Sequence, residues 1–225
     1  MVSAIILAGG RGKRMGSDIS KQFIEIDGKP ILYYTLKRFI DSKSINEIIL
    51  VLPKDEIEYC IDNVLNKYNL KVTKIVEGGK ERQDSVYNAL KEVVGCDIVL
   101  IHDGARPFVK ERIIEEGIAF AKEHGAAAPG VIPKDTIKVI DKNSFSKETP
   151  DRNTLVAIQT PQVFKSNIII DAHKKVRESK LVVTDDTMVV EMNNNRVYIY
   201  EGDYENIKIT TKEDLILAQN LVNLN

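Results

Sequence analysis

The chain is poor in cysteine: Cys60 and Cys96 are the two it has, far apart, with no paired spacing and no histidine cluster beside either. That excludes a disulfide framework and a cysteine-based zinc site, and leaves both as buried packing residues. A dominant charge is missing too. With 32 Lys and Arg against 33 Asp and Glu the formal net charge is -1, so no global basic field points to nucleic acid or to an anionic membrane. Any anion site must be local. No apolar run reaches the roughly eighteen residues of a membrane span, and no apolar signal core follows Met1. The expected compartment is the cytoplasm, with neither a membrane nor a nucleic acid as partner. Internal repeats and low-complexity linkers are absent, so the 225 residues, 43% of them hydrophobic, are expected to bury one large core in a single domain spanning 1–225.

What is present is concentrated near the start. Ser3 to Phe23 reads S-A-I-I-L-A-G-G-R-G-K-R-M-G-S-D-I-S-K-Q-F. Ala4 to Leu7 is an unbroken apolar run, the pattern of a parallel strand buried on both faces. Gly9, Gly10 and Gly12 follow it, and chain without side chains can bring its N–H groups close to a ligand. Arg11, Lys13, Arg14 and Lys21 add four cations beside those donors, a combination suited to phosphate. The dinucleotide pattern G-x-G-x-x-G is matched loosely, because Met15 stands where the third glycine belongs. No Gly-Lys-Ser/Thr follows, so the Walker pattern fails as well. A nucleotide-triphosphate loop of another kind remains.

Beyond the loop, strand-like and helix-like stretches alternate. Gln22 to Ile26, Glu47 to Leu52, Val72 to Val76, Asp97 to Ile101, Ala126 to Val131, Val197 to Glu201 and Asn206 to Thr210 read as strands. Ile31 to Ile40, Ile57 to Tyr68, Ser85 to Val94, Ile113 to Glu123, Ile168 to Ser179 and Thr211 to Leu221 read as helices, and a further helical stretch follows Thr184-Asp185-Asp186. The alternation predicts an α/β fold with a mostly parallel sheet and ligands at the carboxyl ends of its strands. Two further loops then converge on the first. Gly78-Gly79 through Ser85 would reach the same sheet edge, with Asp84 and Ser85 at a helix start. Asp103, at the tip of a buried strand, would hold a ribose hydroxyl or a metal bound to phosphates. His102 reads as a structural histidine, not a catalyst. From Ile137 to Asn153 the alternation breaks into a β-hairpin with a turn at Asp141 to Ser144. Such a ribbon is not stable alone, and it is expected to pack on a second copy of the chain.

Seven motifs, L-A-G-G-R-G-K-R-M with K-Q-F, G-G-K-E-R-Q-D-S-V, H-D-G-A-R-P, D-T-I-K, D-R-N with Q-T-P-Q-V-F, V-T-D-D and N-I-K-I-T, together resemble the 2-C-methyl-D-erythritol 4-phosphate cytidylyltransferases of the non-mevalonate isoprenoid pathway. The likeness runs over essentially the whole chain. Ala8-Gly9-Gly10 stands where some members have Ala-Ala-Gly, and Gly104 where alanine is frequent; neither departure removes a functional side chain.

The resemblance implies a Rossmann-like nucleotidyltransferase sheet with a protruding hairpin arm, acting as a homodimer. It implies that Ala8, Gly9, Gly10, Gly79 and Ser85 surround the cytosine of CTP, with Asp103 and Gly104 near the ribose and Arg14 and Lys21 on the triphosphate. Arg106, Thr136, Arg152, Thr160, Thr184 and Lys208 would receive methylerythritol phosphate, some of them supplied by the neighbouring subunit. Arg14, Lys21, Arg152 and Lys208 would carry the chemistry. Mg²⁺ would bridge the phosphates, held mainly by the triphosphate, with Asp103 the one protein group assigned to it. Two other readings stand beside this one, a ribitol 5-phosphate cytidylyltransferase and a non-catalytic nucleotide-binding regulatory module. Asp151-Arg152-Asn153 and the loop from Arg82 to Val86 favour methylerythritol over ribitol, and the presence of Lys21 and Lys208 favours an enzyme over a module.

Overall fold

In the computed structural model, which describes residues 1–10, 20–179 and 181–224, a single eight-stranded sheet runs through the molecule. Its strands are β1 (Val2–Leu7), β4 (Glu47–Leu52), β5 (Lys74–Glu77), β6 (Ile98–Asp103), β7 (Ala126–Val131), β10 (Ala157–Ile158), β11 (Gln162–Lys165) and β12 (Tyr198–Glu201). The order is β10-β7-β11-β6-β1-β4-β5, with β12 also pairing with β7. The pairs β1/β4, β1/β6, β4/β5 and β7/β12 are parallel, while β11 runs antiparallel to both β6 and β7, and β10 antiparallel to β7. Two short pairs lie outside this sheet: β2 (Glu25–Ile26) with β3 (Lys29–Pro30), and β8 (Val139–Ile140) with β9 (Ser146–Glu148).

The central strands are apolar on both faces because both faces are covered. Ala4, Ile6, Leu50, Leu52, Ile98 and Leu100 point to one side, against α1 (Ile31–Asp41), the π-helical turn Ile61–Asn66 and α4 (Glu111–His124). Ile5, Ile49, Val51, Val99 and Ile101 point to the other, against α3 (Arg82–Leu90), α5 (Ser166–Glu178) and α6 (Asp186–Glu191). A short α2 (Ile57–Cys60) leads into the π-helical turn, and α7 (Lys212–Leu224) closes a third cluster through Ala218 and Leu221 on Ile26, Ile31 and Ile209. Both cysteines are buried, and burial pushes the Cys60 thiol up to about 12.

Three sequence expectations move. The strand expected at Gln22 to Ile26 is a 3-10 turn at Lys21–Phe23 followed by β2. The turn is held from outside, since Gln22 Nε2 donates to Glu56 Oε2 at 2.6 Å. The helix expected from Ser85 begins at Arg82, where Glu81 and Asp84 form a reciprocal capping box, which leaves Ser85 inside the helix. The helix expected after Thr184-Asp185-Asp186 is α6, capped by Asp185, which accepts from the Met188 N–H at 2.9 Å. Asn206 to Thr210 makes no ladder; Ile209 N–H donates to the Ala105 carbonyl at 2.9 Å instead. The hairpin turn at Asp141 to Ser144 forms as expected, with Asp141 Oδ1 accepting from the N–H groups of Asn143 and Phe145 and Ser144 left-handed at φ 66°.

Close packing of α4 on the sheet depends on Gly117. A Cβ there would lie 2.5 Å from the Tyr200 hydroxyl and 2.8 Å from Val163 Cγ2. The Tyr200 hydroxyl donates to the Ile113 carbonyl at 2.8 Å, so it cannot swing aside without losing a buried bond. Helix propensity alone favours alanine by about 1 kcal/mol, whereas overpacking costs about 1–3 kcal/mol. Gly117→Ala is therefore expected to lower stability by up to about 2 kcal/mol in urea unfolding. A raised midpoint would mean that α4 moves away from β12 freely.

Candidate active site

The parallel register aligns the strand ends. Leu7 stands opposite Asp103 and Val51 in neighbouring strands, and Leu52 opposite Glu77. The loops leaving β1, β5 and β6 therefore emerge together, on either side of the point where the strand order reverses, the place where α/β sheets bind ligands. Backbone bonds fix them there: Gly104 N–H donates to Leu7 O at 2.8 Å, Ala8 N–H to Val51 O at 2.9 Å and Gly78 N–H to Leu52 O at 2.8 Å.

Between these loops lies a cleft of about 180 Å³, lined by Ala8, Gly9, Gly10, Lys21, Gly79, Arg82, Ser85, Asp103, Gly104 and Lys208 among others. Two of these glycines sit in close quarters. A Cβ on Gly79 would lie 2.2 Å from Asp84 Cβ, and one on Gly104 2.9 Å from the Leu7 carbonyl. Gly10 is overlaid by Lys21, whose Cε would stand 3.2 Å from a Cβ at Gly10. Gly79 N–H donates to Ser85 Oγ at 3.0 Å, which ties the loop to the first turn of α3.

At the floor of the cleft is Asp103. Lys208 Nζ lies 2.7 Å from its Oδ2, Arg106 Nε 3.8 Å from the same oxygen and Arg82 Nε 3.7 Å from Oδ1. Burial opposes its charge, but Lys208 and then Arg82 and Arg106 outweigh it and hold the carboxyl well below the usual carboxylate range. Three cations around one carboxylate leave a local excess of positive charge in a protein with a net charge of -1, which meets the requirement for a local anion site.

His102, just before Asp103, is fully buried and belongs to the support. Asp103 N–H donates to Thr160 Oγ1 at 3.1 Å, Thr160 Oγ1 lies 3.0 Å from His102 Nδ1, and His102 Nε2 lies 3.0 Å from the Arg106 carbonyl. A neutral imidazole with its proton on Nε2 satisfies all three contacts. Burial pushes its pKa down to about 4.

Of the residues singled out in the sequence, Ala8, Gly9, Gly10, Lys21, Gly79, Ser85, Asp103, Gly104 and Lys208 come together here. Arg14 lies outside the described residues. Arg106 sits beneath the cleft, its Nη1 donating to Asn206 O at 2.7 Å. Thr160 is buried, with its hydroxyl proton engaged by His102. Thr136 and Arg152 meet each other on the exposed hairpin side, Arg152 Nη2 lying 3.3 Å from Thr136 Oγ1. Thr184 is exposed beside α6. The sequence reading did not single out Arg82 as a site residue. An arginine within a glycine loop that follows a strand was the available signal. Among the described residues no three of His, Cys, Asp and Glu gather closely enough to cage a metal, and no helix is long and apolar enough to cross a membrane.

The sequence pattern of the 2-C-methyl-D-erythritol 4-phosphate cytidylyltransferases matches residues 2–223. The chain belongs to this family. It is thereby a nucleotidyltransferase. A cytidylyltransferase of this name from Clostridium perfringens is 62% identical over 221 residues, 98% of each chain, and one from Clostridium botulinum is 60% identical over 99% of this chain and all of its own. Among solved structures, the 4-diphosphocytidyl-2C-methyl-D-erythritol synthase of Anaerococcus prevotii superposes with a TM-score of 0.87 at 36% identity, covering 99% of this chain and 96% of that one. The cytidylyltransferase of Thermus thermophilus gives 0.81 at 27% identity, covering 99% and 100%.

A pH dependence follows for this cytidylyltransferase from His102. Its folded-state pKa of about 4 lies below the ordinary value near 6.5. The contribution is complete above about pH 6.5 and is lost as pH falls from there toward 4, on the order of 3 kcal/mol in all. Replacing His102 by Asn should flatten the fall of stability across that window, measured by urea unfolding at several pH values. An unchanged slope would show that His102 is not held neutral.

Proposed function

We propose that the chain transfers the cytidylyl group of CTP to 2-C-methyl-D-erythritol 4-phosphate in this cleft, giving CDP-methylerythritol and pyrophosphate for isoprenoid precursor synthesis. Family membership supports the reaction; the observation that carries its assignment to this cleft is the Lys208, Arg82 and Arg106 cluster around Asp103, beside a glycine loop at the strand ends. A phosphate oxygen of methylerythritol phosphate attacks the α-phosphorus of CTP in line. A new phosphorus–oxygen bond forms, the bond to the bridging oxygen of the β-phosphate breaks, and its electron pair leaves with pyrophosphate. The nucleophile is already anionic, so no general base is needed, and the task is to bring two anions together.

Ala8, Gly9, Gly10, Gly79 and Ser85 hold the cytosine in this reading, and Asp103 and Gly104 the ribose. Arg14 and Lys21 offset charge on the α-phosphoryl group and the leaving group. Lys208 and Arg152 aim the attacking phosphate, with Arg106, Thr136, Thr160 and Thr184 completing its site. Arg106 and Thr160 act from beneath, through Asn206 and Asp103. Mg²⁺ is the proposed cofactor. A single carboxylate at the cleft floor, with no acidic cage among the described residues, suits an ion that takes most of its ligands from phosphates and water. Bound there, it would neutralise phosphate charge.

The working unit in this reading is a cytoplasmic homodimer, with the hairpin at 137–153 as its arm. Support comes from apolar side chains left in solvent on and beside the hairpin, among them Phe145 at 72% exposure, Ile140 at 60% and Ile132 at 50%. Arg152 on the hairpin and Thr136 just before it then serve the partner's cleft.

Pyrophosphate release with CTP and Mg²⁺, measured in parallel against methylerythritol phosphate and ribitol 5-phosphate, tests the reading; preference for ribitol phosphate would overturn the acceptor. Lys21→Ala should lower kcat by on the order of 10²-fold, the usual worth of a donor to transition-state charge, and near wild-type turnover would remove Lys21 from the chemistry. Deleting the tip between Asp141 and Phe145 should give a folded, inactive monomer by sedimentation. A wild-type protein that is monomeric at micromolar concentration yet fully active would sink the arm assignment.

A further inference from the structure

Behind the cleft wall lies a second charged cluster. Asp186 and His173 are almost wholly buried, at 1% and 3% exposure, and His173 Nε2 lies 3.0 Å from Asp186 Oδ1. The other oxygen, Oδ2, lies 2.8 Å from Nη1 of Arg82. Arg82 is the residue that lines the cleft and reaches Asp103 with its Nε. We infer that Asp186 and His173 are positioning residues for the nucleotide cleft, acting through Arg82. The inference rests on the reading of that cleft as the CTP site.

The geometry favours Asp186 as the anchor of the guanidinium, since 2.8 Å to Asp186 is much closer than 3.7 Å to Asp103. The start of α6 is itself fixed by Gln162. The Asp186 N–H donates to Gln162 Oε1 at 3.0 Å, that of Thr187 donates to the same oxygen at 3.2 Å, and Gln162 Nε2 donates to Asp185 Oδ2 at 2.8 Å. His173 on α5 holds the Asp186 side chain. The start of α3 is tied to the same segment at a further point, where Val183 N–H donates to Gln83 Oε1 at 3.3 Å.

A buried ion pair adds little net stability, because desolvation offsets the attraction, but it fixes where its members stand. Here it keeps Arg82 from closing fully on Asp103. The Asp103 carboxylate thus stays paired with Lys208 and turned to the cleft. Without the Asp186 charge, Arg82 has a single carboxylate to neutralise, and it draws Asp103 out of place. The chain of action is therefore His173 to Asp186 to Arg82 to Asp103.

The test compares wild type, Arg82→Gln, Asp186→Asn and the double variant, reading kcat, the KM for CTP, the KM for methylerythritol phosphate and the melting temperature. Asp186→Asn should raise the KM for CTP about tenfold, the scale of a lost charged hydrogen bond; Arg82→Gln, which leaves nothing to pull on Asp103, should raise it by less, and neither should move the other KM more than about twofold. The double variant should be no worse than Arg82→Gln alone. Losses that multiply, or an Asp186→Asn protein with the wild-type KM for CTP, would overturn the inference. If Asp186→Asn does not fold, His173 reads the same link: His173→Gln keeps a donor near the Nε2 position and should hold the KM for CTP within about threefold, while His173→Leu should raise it about tenfold. Equal values for the two would overturn it equally. Arg177→Ala, which removes the surface pair with Asp84 and the stacking on the Tyr87 ring, is the control that should change nothing. A wild-type protein that releases no pyrophosphate would remove the proposed reaction, and the same variants titrated with CTP by calorimetry would still decide the link.

Discussion

The contact on which the site depends is the one between Asp103 and its cations. A carboxylate taken almost entirely out of water is costly unless it is paired, and at the end of β6 it is paired with Lys208, Arg82 and Arg106 at once. The partners come from α3, the loop directly after β6 and the segment before α7. One buried charge thereby draws two distant segments to its own loop, and it does so next to a backbone that presents N–H groups without side chains.

The sheet makes that convergence rigid. Parallel pairing on both sides of β1 brings Leu7 and Asp103 into register, so the glycine loop and the carboxylate share a level. Antiparallel β11 then delivers Thr160 under the Asp103 N–H, and a neutral, buried His102 completes the chain to Arg106. These bonds are short-range and fully enclosed, which suits a support that must not titrate near neutral pH. The positive excess left above them is open to the cleft, where two anionic substrates have to meet.

Much of the fold was legible in the sequence because its signals are local. β4 and β7 have the bounds that their apolar runs suggested, and α1, α4 and α5 differ from expectation by one or two residues at their ends. The misreadings fall where local pattern competes with a distant partner. Asn206 to Thr210 has the alternation of a strand, yet Asn206 is claimed by Gln159 and Thr160 O, and Lys208 by Asp103. Ser85 looked like a helix cap, but Glu81 and Asp84 cap each other first, and its hydroxyl serves Gly79.

The sequence by itself determined the family, the parallel α/β plan and most of the residue types at the cleft, since glycine loops, apolar strands and ordered motifs are written in contiguous residues. Tertiary structure alone decided which charges meet. That Arg82 stands between Asp103 and Asp186, that His173 backs Asp186, and that the Thr160 hydroxyl is turned inward to His102 are facts about residues separated by as much as 104 positions, from Arg82 to Asp186. No periodicity encodes such pairs. They follow from the crossovers that stack α3, α5 and α6 on one face of the sheet, and from the cost of leaving a buried charge without a partner.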